Sequence, residues 1–153
     1  MARMFQLASE TSQIFEQYVA IHDQAFGFSI RGLLGSPSRN GSMAHAERAR
    51  RLEELATSIQ EMRREIAALQ DAELTKRSKN EVRSTLLDYT GALAESITRL
   101  RAICENLHRE AEGIDGYTGY SEERLRLDKI GYDDSIQLHK RLGARLTDLF
   151  AKV

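Results

Sequence analysis

Leu52, Leu55, Ile59, Met62, Ile66 and Leu69 recur at alternating spacings of three and four, and no other feature restricts the fold of this chain so tightly. That interval gathers one apolar stripe on a single side of an α-helix and demands a second helix to cover it. After a short basic break, Leu86, Tyr89, Leu93, Ile97, Leu100, Cys104, Leu107, Ala111 and Ile114 form another such stripe. Two long amphipathic helices joined by a turn therefore make a central helical hairpin. A seam of this kind is an instruction for packing and carries little information about chemistry.

The flanking segments read as further helices. Over about residues 3–26, Leu7, Ile14, Tyr18, Ile21 and Ala25 share one edge, with Phe15, Val19, His22 and Phe26 beside it. Residues 27–42 contain Gly27, Gly32, Gly35 and Gly41, the only proline at Pro37, and Ser36, Ser38 and Ser42, which predict one long loop. Its Phe28, Ile30, Leu33 and Leu34 are apolar beyond what a flexible linker needs, so they are candidates for covering the bundle end or contacting a partner. The second helix is expected over about 43–74, some 45 Å at 1.5 Å per residue. The third is expected over about 79–113, restarted by a Ser78 to Glu81 capping box after Lys76 and Arg77. Three glycines in 113–120 predict a turn. A last helix follows over about 121–152, with a candidate break near 131–134, where Asp134 and Gln137 can cap a second segment carrying Ile136, Leu138, Leu142, Leu146 and Leu149. The expected fold is a single all-α domain over 1–153: an antiparallel four-helix bundle built around the long central helical hairpin. The alternative is a hairpin that dimerises, with two copies supplying the core.

Composition removes several function classes. With 22 basic and 23 acidic side chains and a net charge of -1, nucleic acid is an unlikely partner by overall electrostatics. Any such contact would need the local patch Lys76, Arg77, Lys79 and Arg83. Around Arg48, Arg50 and Arg51, the acids Glu47, Glu53 and Glu54 favour intrahelical pairs such as Glu47 to Arg51. The lone Cys104 lies on the second seam, allows no intramolecular disulfide and fits a reducing cytoplasm. Polar residues interrupt the first segment before a signal core or membrane span can form, so neither an export signal nor an anchor is expected.

The candidates for chemistry are histidines. In an up-down-up-down bundle His22, His45 and His108 fall near one end, where three imidazoles can hold a transition metal or frame a small-molecule site. Against this stands their ordinary role as capping or surface residues. Glu105 and His108 form one Glu-x-x-His, but a carboxylate-bridged di-iron bundle needs two. His139-Lys140-Arg141-Leu142-Gly143-Ala144 resembles part of the histidine-phosphotransfer motif, in which a glycine follows the reactive histidine by four residues. That resemblance implies phosphotransfer through His139, with Lys140 near the phosphoryl group and Gly143 leaving room for a partner. It covers six residues, and departs from the motif at Arg141 and Leu142. The competing reading is an ordinary helix in which Gly143 permits close packing. No phosphate loop, paired Cys-x-x-Cys or nucleophile elbow occurs. Tyr117, Tyr120 and Tyr132 are the most surface-like aromatics, suited to an interface or to covering the bundle end.

These readings favour a non-enzymatic protein-protein interaction module of adaptor, chaperone-like or regulatory type, acting through helix faces and through Phe28, Ile30, Leu33, Leu34, Tyr117 and Tyr120. Its partner would be another protein or a second copy of itself as a homodimer, with no cofactor and no membrane. A metal- or small-molecule-binding bundle is the second reading, and phosphotransfer through His139 the third.

Overall fold

The computed structural model describes the backbone of residues 2–32, 39–69, 77–112 and 122–152, and the side chains of 2–26, 44–69, 77–111 and 123–152. The described residues are all-α. Among them are four helices, α1 (Ala2–Gly32), α2 (Arg39–Ala67), α3 (Arg77–Glu112) and α4 (Glu122–Ala151).

The central seams become the spine. Leu52, Leu55, Ile59, Met62 and Ile66 of α2 are buried against Leu86, Leu93, Ile97, Leu100 and Cys104 of α3 in one continuous core. Each such side chain withdrawn from water contributes about 1.5–3 kcal/mol, so these two stripes supply much of the fold's stability. At the rim Arg101 pairs with Glu53 at 3.5 Å, and Arg83 donates to the carbonyls of Ala67 and Leu69 at 3.2 and 3.3 Å, closing the C-terminal end of α2. Arg83, offered above as part of a nucleic-acid patch, is thus engaged within the fold.

α1 buries Met4, Leu7, Thr11, Ile14, Tyr18, Ile21 and Ala25, again at spacings of three and four. Thr11 is the polar member of that stripe, and its hydroxyl donates to the Leu7 carbonyl at 2.8 Å and lies 2.7 Å from Met62 Sδ. Arg3 pairs with Glu65 across α1 and α2. α4 faces α3 and α1 with Tyr132, Ser135, His139 and Leu146, flanked by the half-buried Leu125, Ile136, Leu149 and Phe150.

Several boundaries differ from the sequence reading. α1 continues to Gly32 and α2 begins at Arg39, so part of the 27–42 segment is helical. A glycine inside a helix costs only about 1 kcal/mol relative to alanine and does not end it alone. α3 begins at Arg77, which puts Ser78 inside the first turn instead of at the N-cap. α4 runs unbroken through Gly131, since a single glycine does not end a helix; a Cβ there would stand 2.6 Å from the end of the exposed Arg99 side chain of α3. Glu47 pairs with Arg50 at 2.6 Å instead of Arg51, and Arg50 also reaches Glu54. No helix among the described residues is long and apolar enough to cross a membrane.

Candidate functional site

The densest polar chemistry lies inside the molecule, where α1, α3 and α4 meet. Tyr18 and Tyr132 share a hydroxyl-to-hydroxyl hydrogen bond, and the Tyr132 oxygen also lies 2.6 Å from His22 Nδ1. One turn further along α4, the Ser135 hydroxyl donates to the Tyr132 carbonyl at 2.6 Å. Ser96 of α3 donates to Ser135 at 2.9 Å and lies 3.0 Å from His139 Nδ1. The protons can be followed through this chain. The Ser96 hydroxyl also stands 3.3 Å from the Ala92 carbonyl, and the one assignment that satisfies the three shorter contacts has Ser135 donating to the carbonyl, Ser96 to Ser135, and His139 Nδ1–H to Ser96. His139 Nε2 is left unprotonated.

The electrostatics agree with a neutral network. Burial, reinforced by Lys140 and His22, lowers His139 to about 4, and burial lowers His22 against the opposing pull of Asp23 and Asp133. Burial raises Tyr18 to about 12 and pushes Tyr132 higher, with the neighbouring Tyr18 adding to the effect. Aromatic rings enclose the cluster: Phe26 stacks on Tyr132 at 5.8 Å, and Phe15, Tyr18 and Tyr89 set their edges or faces against His139 at 5.8, 6.0 and 6.4 Å.

Beyond His139 the cluster opens into a cleft of about 370 Å³ between α1 and α4, floored by Leu86 and Tyr89 of α3. Phe15, Leu146 and Phe150 form apolar walls, and Lys140 stands at its rim. A Cβ at Gly143 would lie 3.2 Å from the Tyr89 ring. Gly143 thus admits the Tyr89 ring on one side and, with His139 and Lys140, lines the cleft on the other; His139 itself is only 2% exposed.

The proposed histidine end is divided. His22 belongs with Tyr132 and Phe26, whereas His45 sits beside Arg48 at 3.2 Å and near His108, and is lowered to about 4 first by burial, then by those two neighbours. Among the described residues no three His, Cys, Asp or Glu side chains gather as metal ligands. Glu105 is taken by Arg101 at 2.9 Å. Tyr132, expected at the surface or over the bundle end, is fully buried because its hydroxyl finds two partners inside. Of the expected contact residues, Leu33, Leu34, Tyr117 and Tyr120 lie outside the described residues, and only the backbone of Phe28 and Ile30 is described.

Sequence reasoning passes over Ser96 and Ser135 because both are polar. Their signal is positional: Tyr132, Ser135, His139, Leu142, Leu146 and Leu149 keep the intervals of three and four, so serine and histidine occupy seam positions. It also passes over Leu127 and Ile130 and groups Leu138 with the apolar residues of the last segment, whereas all three lie on the opposite side of α4, 55%, 47% and 43% exposed. With Asp134 and Arg141, both exposed, they line one outward face at helical spacing.

No protein-family model matches the chain, and no curated protein or solved structure matches it at a significant level.

Proposed function

We propose that this protein is a non-enzymatic interaction module, an antiparallel four-helix bundle around the α2–α3 hairpin that binds an amphipathic helix of another protein through the outer face of α4. The antiparallel reading rests on the order of contacts: Phe5 with Phe150, Phe15 with His139 and Tyr18 with Tyr132 between α1 and α4, and Glu81 with Arg145 and Ser96 with Ser135 between α3 and α4.

The observation that carries the interaction reading is the stripe of Leu127, Ile130 and Leu138. Single exposed apolar residues are ordinary on a soluble surface, but three aligned on one helix face leave a strip of apolar area in water that a second helix would cover. Asp134 decides between occupants. It lies between Ile130 and Leu138, is exposed, and makes no ion pair among the described residues. A second copy, paired in register in parallel or crossing at the middle of the stripe, would set Asp134 against its own counterpart, a like-charge contact that disfavours association. A partner helix with one Lys or Arg within an apolar face meets both features. Cys104, fully buried with its thiol raised to about 12 by burial, acts as a small core hydrophobe and supports a cytosolic setting.

The test is a charge exchange. Two designed amphipathic helical peptides, differing only in Lys or Glu at the centre of the apolar face, are titrated by calorimetry. The Lys peptide is expected to bind about fivefold tighter, the ratio for about 1 kcal/mol at a partly exposed ion pair, and Asp134→Lys is expected to invert the order. Equal binding of both peptides, or binding that survives Ile130→Glu with Leu138→Glu, contradicts the proposal.

A further inference from the structure

We infer that the cleft between α1 and α4 is a binding site for a small aromatic molecule bearing a phenolic hydroxyl, with His139 Nε2 receiving the phenol proton in a hydrogen bond. This site is separate from the outer face of α4 and does not depend on that face having a partner.

Two polar groups meet the cleft without protein partners. His139 spends Nδ1 on Ser96 and makes no other hydrogen bond among the described residues. Nε2 is also not sealed in, since Arg63 Nε is the one fully buried side-chain nitrogen or oxygen without a partner among those residues. The ring lines the cleft, and Nε2 is the ring nitrogen that Ser96 leaves to a ligand there. Tyr89 lines the same cleft, and its hydroxyl makes no hydrogen bond among the described residues. Its pKa is raised to about 12 by burial alone. Both groups belong to residues that line the cleft, and a pocket with a few convergent polar groups and apolar walls is the ordinary form of a small-molecule site.

The donor and acceptor pattern selects the ligand. The hydrogen-bond chain through Ser96 and Ser135 leaves Nε2 as an acceptor, so the ligand must bring a donor there. Tyr89 supplies a donor, as does the Lys140 ammonium at the rim, so the same ligand group must also accept. A hydroxyl does both, whereas a carboxylate at neutral pH has no proton for Nε2. Phe15, Phe150 and Tyr89 present rings to the body of the ligand, which favours an aromatic hydroxyl over an aliphatic one. The volume of about 370 Å³ admits a one- or two-ring molecule.

The experiment compares 2-naphthol with 2-methylnaphthalene, which replaces the hydroxyl by a methyl group of similar size, using intrinsic ligand fluorescence and NMR shifts of the intact protein. Wild type is expected to bind 2-naphthol at least tenfold more tightly. His139→Phe is expected to reduce that preference to within twofold while keeping the apolar contacts. Because His139 is buried and its replacement can disturb folding, Ser12→Phe gives a second arm: Ser12 is exposed at the rim, and a ring there fills the cleft without touching the core. That variant is expected to keep its melting temperature and bind neither probe. Equal affinity of wild type for the two probes overturns the inference, as does an unchanged preference in His139→Phe, undiminished binding in Ser12→Phe, or no binding of 2-naphthol at all.

Discussion

Tyr132 concentrates the physical argument into one side chain. Its ring fills the core against Phe26, and its hydroxyl joins Tyr18 to His22, so removing one oxygen leaves the buried Tyr18 hydroxyl and the half-buried His22 ring short of a partner. Tyr132→Phe is expected to cost about 1–3 kcal/mol, the usual penalty for stranding buried hydrogen-bonding groups, read as a lower midpoint in urea unfolding with an unchanged slope. Ser96→Ala should cost a similar amount, since it leaves His139 Nδ1 without its partner and removes the donor to Ser135, which keeps its own bond to the Tyr132 carbonyl. The histidines add a pH dependence whose sign is fixed. His45 and His139 stay neutral in the folded protein down to about 4, whereas in the unfolded chain they titrate near 6.5. Between those values the unfolded state binds more protons, so stability present at pH 7 is lost as the pH falls from 6.5 to 4, by about 2 kcal/mol for each ring at pH 5. Unfolding midpoints at pH 7.5, 6 and 5 measure this directly; a flat profile would mean that the rings are not held neutral.

At the scale of the helices, the apolar part of the structure is readable from the sequence and the polar part is not. Intervals of three and four locate the α2 and α3 seams because Leu, Ile and Met announce themselves as core residues. The same intervals continue in α1 through Thr11 and in α4 through Ser135 and His139, where polar identity hides inward position. Those residues are buried because each finds a partner across the interface, and that is a property of tertiary pairing which composition cannot reveal. Glycine misleads for a related reason. Gly27 and Gly131 suggest breaks, but helix continues through both. Gly131 and Gly143 make opposite predictions. At Gly131 the obstructing group is the end of Arg99, an exposed side chain that can swing away, so Gly131→Ala is expected to be neutral or to stabilise by up to about 1 kcal/mol through helix propensity. At Gly143 the obstacle is the half-buried Tyr89 ring, and Gly143→Val is expected to destabilise by about 1–3 kcal/mol. Thermal melts of the two variants separate the cases; equal effects would show that Tyr89 does not hold α4 in place.

Across the whole molecule, α4 joins two different surfaces. Its inner side closes a polar network with α1 and α3, and its outer side leaves Leu127, Ile130 and Leu138 in water around Asp134. The inner side fixes how α4 sits, and a helix held on one side by directional hydrogen bonds presents its other side in a constant orientation to a partner. Because Asp134 opposes self-pairing, light scattering on untagged protein is expected to give the monomer mass of 17.3 kDa at micromolar concentration. A dimer that Ile130→Glu dissolves would instead assign this face to a second copy. The most direct test of the account is amide shift mapping of the full chain titrated with the Lys-bearing helical peptide. Shifts centred on Leu127, Ile130, Asp134 and Leu138, with those of Tyr18, Ser96 and Tyr132 little changed, are the predicted result. Shifts confined to other helices, or no shifts at saturating peptide, would contradict the assignment of α4 as the recognition surface.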